Sequence, residues 1–79
     1  MRSGLGPAMR ARRKALGISM REASQRAGYA RGGSAWWSRI ELGQRDCSLR
    51  VFERIALGLR LSPVQLAQNA AYYSSTEEV

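Results

Sequence analysis

SMREASQRAGYARGGSAWWSRIELG (residues 19–43) is the stretch on which the fold turns. Its first four residues, Ser19-Met20-Arg21-Glu22, have the form of a capping box, in which a serine hydroxyl and a glutamate carboxylate each satisfy an unpaired amide at a helix start. Met20, Ala23 and Ala27 then repeat at i, i+3 and i+7, and Gly28 closes that helix. Tyr29 to Gly33 is a loop, since a Gly-Gly pair is a strong breaker. A further helix follows from about Ser34 to Leu42, with Gly43 as its stop. Trp36 and Trp37 are adjacent and cannot point the same way. Trp37, three before Ile40, is the core residue, which leaves Trp36 partly exposed, to stack on a ligand or to cover the loop.

Outward from this stretch the same periodicity continues. On the N-terminal side, about Pro7 to Leu16 forms a helix with Pro7 in its first turn and Gly17 after its end. Met9 and Leu16, with Ala8 and Ala15 beside them, make a narrow apolar stripe. Arg10, Arg12, Arg13 and Lys14 occupy the other faces. On the C-terminal side, Ser48 caps a helix that runs to about Arg60, with Leu49, Phe52, Ile55, Ala56 and Leu59 as its inner stripe. Ser62-Pro63-Val64-Gln65 opens the last helix as a capping box of the glutamine type, and Leu66, Ala67, Ala70 and Tyr73 carry its apolar side. Ser74 to Val79 is expected to fray. Strand signals are absent. Five short helices predict a compact all-α bundle, a single domain over residues 1–79 with its core in about 7–73.

At 79 residues, the chain buries only roughly 60% of its unfolded surface on folding, so oligomerisation is an expected source of extra stability. An intrachain disulfide and a zinc site are excluded as that source, because Cys47 is the sole cysteine and histidine is absent. No cofactor is expected. No stretch approaches the roughly 18 apolar residues of a membrane span, so the expectation is a soluble, cytoplasmic protein with no membrane partner. Charge is the most informative global property. Thirteen basic residues, twelve of them Arg, face six acidic ones for a net +7, and an Arg-rich basic domain points to nucleic acid.

Order and spacing also resemble a known family. RRKALGIS (residues 12–19), Ala27-Gly28, SRIELGQR (38–45) and IALGL (55–59) are similar to the motifs of the Cro and lambda-repressor-like (XRE) helix-turn-helix regulators, over about residues 8–67. That resemblance implies a five-helix lambda-repressor-like DNA-binding domain. Its second and third helices form the helix-turn-helix, and the third lies in the major groove of double-stranded DNA. Gly33 then falls at the N-cap of the third helix, and Ser34, Ala35, Trp36 and Arg39 fall at the base-reading positions. The chemistry is suitable: Arg forks onto guanine O6 and N7, and Ala packs on a thymine methyl. Backbone contacts are expected from Gln44, Arg45 and the Ser48 end of the fourth helix, with Arg21 and Arg31 as additions. Arg13 and Glu41 occupy positions that the resemblance pairs as a structural ion pair. Met20 stands where the family usually has a phosphate-touching Gln, and the turn at Ala30–Gly33 is about three residues longer than usual.

The function these features predict is a sequence-specific transcriptional regulator, a repressor or autoregulator binding an inverted-repeat operator as a homodimer. Leu66, Ala70 and Tyr73 are the expected dimer surface, unless that stripe completes the monomer core. With so short a chain, no small-molecule ligand is expected. An antitoxin-like protein that neutralises a protein partner and binds DNA secondarily is the alternative. An enzyme is not expected, since the chain has no activated nucleophile and no carboxylate cluster for a metal. Cys47, near the start of the fourth helix, is placed either to have its thiolate stabilised or to act as a small, partly buried filler.

Overall fold

Five helices, α1 (Arg2–Leu16), α2 (Met20–Arg26), α3 (Gly33–Glu41), α4 (Leu49–Gly58) and α5 (Pro63–Glu77), form the protein in a computed structural model that describes residues 2–29 and 31–77. No strand occurs among the described residues, in keeping with the all-α class. The core is where the helical stripes converge. Ala23 from α2 and its C-cap Ala27, Trp37 and Ile40 from α3, and Phe52, Ile55 and Ala56 from α4 with its C-cap Leu59 are all buried there. Leu49, the first residue of α4, departs from its predicted stripe and is 72% exposed, while Phe52 one turn on is buried.

The N-terminal helix is longer than its sequence suggests. It begins at Arg2, five residues before Pro7, so the proline lies inside the helix rather than in its first turn. A proline there removes one backbone hydrogen bond and crowds the preceding turn, at a cost of about 3 kcal/mol in an isolated helix. Burial offsets it. Leu5 and Met9 are both enclosed, and such side chains contribute about 1.5–3 kcal/mol each. Two glycines make that burial possible: a Cβ on Gly4 would stand 1.8 Å from the Ala70 carbonyl oxygen, and one on Gly6 would stand 2.2 Å from that of Glu41. Residues 2–6 are therefore helical because they dock on α5 and on the end of α3. Ala15, expected beside the apolar stripe, is exposed.

Helix α5 also runs further than predicted, through Ser74 to Glu77; Glu78 and Val79 lie outside the described residues. Its start follows the sequence closely. The Ser62 hydroxyl accepts from the Gln65 amide at 3.1 Å, and the Gln65 side-chain oxygen accepts from the Ser62 amide at 2.9 Å. The helix pairs most extensively with α1. As a result, Leu66 is fully enclosed, Ala70 is 7% exposed and Tyr73 is half-buried against the core. Leu66 and Ala70 therefore pack into the monomer core, the alternative that the sequence left open, and little of either side chain stays exposed.

Candidate nucleic-acid interface

The arrangement of α2, the turn and α3 begins with small residues in contact. Ser19 caps α2, its hydroxyl accepting from the Glu22 amide at 3.1 Å. The return half of the predicted box does not form, because the Glu22 carboxylate pairs with Arg26 one turn on, at 2.8 Å. Tyr29 closes the C-terminal end of α2, its amide donating to the Ser24 carbonyl at 2.9 Å. Gly32, with φ of 67°, is the N-cap of α3, one residue earlier than predicted. Gly33 is instead the first residue of the helix, pressed onto α2. A Cβ there would meet the Ser24 side chain at 2.8 Å and the Tyr29 Cβ at 3.0 Å. The backbone of α3 thus approaches α2 as closely as glycine permits. Ala30 lies outside the described residues.

Along α3 the buried residues are Gly33, Trp37, Ile40 and Glu41, a spacing of i, i+4, i+7 and i+8 that defines one helix face. The opposite arc carries Ser34, Ala35 and Arg39, all exposed, with half-buried Ser38 between them. Ser38 was not among the sequence candidates, although it follows Ser34 by one helical turn and so shares its face. Trp36 sits at the edge of the arc. It is half-buried and leans on Tyr29, ring centroids 4.6 Å apart, so the ring covers the turn rather than standing free. Trp37 is fully buried.

A polar anchor holds the far end of α3. Arg13 of α1 donates Nε–H to Glu41 Oε2 at 2.8 Å and Nη2–H to Oε1 at 3.2 Å, and its Nη1–H reaches the Ile18 carbonyl at 3.2 Å. The indole N–H of Trp37 donates to the same Glu41 Oε2 at 2.6 Å. The hydrogen bond to Glu41 holds the Arg13 guanidinium more firmly protonated than usual, although burial works against it. The Arg13 guanidinium thereby ties α1 and the α1–α2 turn to the Glu41 carboxylate at the end of α3.

The expected backbone-contacting residues are exposed on three different segments: Arg21 on α2, Arg31 in the turn before α3, and Gln44 and Arg45 between α3 and α4. Ser48 is also exposed, and its hydroxyl already accepts from the Val51 amide at 3.3 Å as the cap of α4. The neighbouring Cys47 departs from one sequence expectation. Burial pushes its thiol up and Asp46 adds to the effect, so the protonated thiol is favoured there. Among the described residues no helix is long and apolar enough to cross a membrane, and no group of side chains is placed to hold a metal ion.

A family model described as a helix-turn-helix domain matches residues 5–68, beginning within the docked N-terminal part of α1. No curated protein and no solved structure matches the chain.

Proposed function

The chain belongs to the helix-turn-helix domain family, and from that premise we propose that it is a transcriptional regulator that binds double-stranded DNA sequence-specifically through α3. The observation that carries this reading is the division of α3. Its inner face is locked into the core and, through Glu41, onto Arg13 of α1, while Ser34, Ala35, Ser38 and Arg39 line one outward arc. A rigidly seated helix with a small, polar and cationic outer face suits insertion into the major groove, where Arg39 forks onto guanine and Ala35 packs on a thymine methyl. The net charge of +7 supplies the attraction to phosphate. Gln44, Arg45, Arg31 and Arg21 then contact the backbone and set the register.

The resemblance to Cro and lambda-repressor-like proteins extends the proposal to a repressor or autoregulator, a binding protein and not an enzyme. It acts as a homodimer on an inverted repeat, with two copies of α3 about 34 Å apart. The dimer surface lies away from Leu66 and Ala70, which are consumed by the core.

Selection of bound sequences from a randomised duplex pool tests this reading. The expected result is an enriched inverted repeat whose half-sites are about one helical turn apart. Recovery of a pool without an enriched sequence would overturn it.

A further inference from the structure

The turn between α2 and α3 is longer than its family resemblance implies, and a longer connection gives α3 more latitude unless something braces it. The structure holds such a brace. Arg54 reaches from α4 and donates Nη1–H to the carbonyl of Ala27, the C-cap of α2, at 3.3 Å. Its guanidinium carbon lies 5.8 Å from the centroid of the Tyr29 ring, within the range of a cation–π contact. Tyr29 in turn packs on Trp36, in the first turn of α3. Space for the guanidinium is kept by Gly28, whose φ is 98° and whose added Cβ would stand 2.6 Å from Arg54 Nη1. The base of the brace is firm, because α4 approaches α2 closely at Gly58, where a Cβ would be 2.6 Å from the Ala23 carbonyl oxygen.

We infer that Arg54 is a positioning residue for α3: by tying the end of α2 to the Tyr29–Trp36 pair, it fixes how the first turns of α3 are presented. Its planar fork suits both tasks at once, since it donates in its plane and stacks through its face. It complements the Arg13–Glu41 anchor, which fixes the other end of the helix. The consequence for DNA rests on the function proposed above: an unbraced α3 loses discrimination between sequences before it loses attraction to phosphate.

The test compares the full chain with Arg54→Ala and Arg54→Lys by nuclear magnetic resonance and by binding to a selected and a shuffled duplex. In Arg54→Ala, the Trp36 indole and the Gly33–Trp36 amides are expected to shift, while the Trp37 indole, bonded to Glu41, holds its position. Affinity for the selected duplex is expected to fall about tenfold, with the shuffled duplex changed by less than about twofold. Arg54→Lys, which keeps the charge and loses the fork, is expected to shift the same signals, and it serves as the test if the alanine variant fails to fold. Unchanged Trp36 and turn signals would overturn the inference. So would equal losses on both duplexes with a shallower salt dependence, which would make Arg54 a phosphate contact. If the parent itself discriminates no duplex, the proposed function fails, and the brace is decided by the Trp36 signals alone.

Discussion

Arg13 on α1 and Glu41 at the end of α3 meet in a two-pronged ion pair, with Nε and Oε2 2.8 Å apart. The Glu41 side chain is 2% exposed and that of Arg13 13%, so the pair is largely withdrawn from water. A buried pair adds little over an apolar replacement, but breaking one strands a charge. Arg13→Ala is therefore expected to lower stability by about 3–5 kcal/mol, seen as a fall in melting temperature. The raised arginine pKa sets the pH window. A group whose folded value is raised contributes fully below its unfolded value, and for arginine that lies above any ordinary buffer. The difference between parent and variant should thus stay constant from neutral pH to about 10. Equal melting of the two proteins would contradict the anchor.

Gly6 is expected to tolerate nothing larger. Its added Cβ would stand 2.2 Å from one backbone oxygen, that of Glu41, and 3.1 Å from another, that of Ile40, neither of which can rotate away. Gly6→Ala should destabilise by about 1–3 kcal/mol despite the better helix propensity of alanine. A rise in melting temperature would show that α1 does not dock on the end of α3 as described.

Arg60 predicts the opposite sign. It follows α4 with φ of 57°, in the left-handed region that glycine occupies without strain. The Leu61 amide bonds to the Ala56 carbonyl at 2.9 Å and the Arg60 amide to that of Leu57 at 3.2 Å, a Schellman end with arginine in the glycine position. The Arg12 bonds in this region go to the carbonyls of Leu59 and Arg60, which a substitution keeps. Arg60→Gly should stabilise by about 1 kcal/mol, or roughly 4–8 °C in a domain of this size. A lower melting temperature would refute the strain argument.

Much of the fold follows from local signals, and the exceptions share a cause. The Phe52–Leu59 stripe, the Ser62–Gln65 cap and the burial of Trp37 are properties of spacing within one helix, and the structure repeats them. Residues 2–6 of α1 and residues 74–77 of α5 gave no such signal, because these segments are poor in periodic apolar residues. At Gly4 and Gly6 the helix is specified by how closely a distant backbone can approach. The same limit applies to the candidate interface. The outward arc of α3 follows from its periodicity, but Arg54 reaches the turn from 27 residues away, and nothing near Ala27 in the sequence points to it.

Within the interface, two arginines should behave differently. Arg39 lies on the outward arc of α3, so Arg39→Ala is expected to cost about 1–3 kcal/mol on the selected site and to relax preference at one base pair. Arg45, in the segment after α3, should weaken binding to all duplexes alike and reduce the salt slope by about one. The same uniform loss for both variants would remove Arg39 from base reading.

Sequence-specific binding through α3 is measured by fluorescence anisotropy of the full chain on a selected duplex and its shuffled counterpart across a salt series. A sequence-specific regulator should discriminate by about a thousandfold or more, with a steep fall in affinity as salt rises. Equal affinity for the two duplexes at every salt concentration would contradict it, leaving the net charge of +7 as the sole basis for binding.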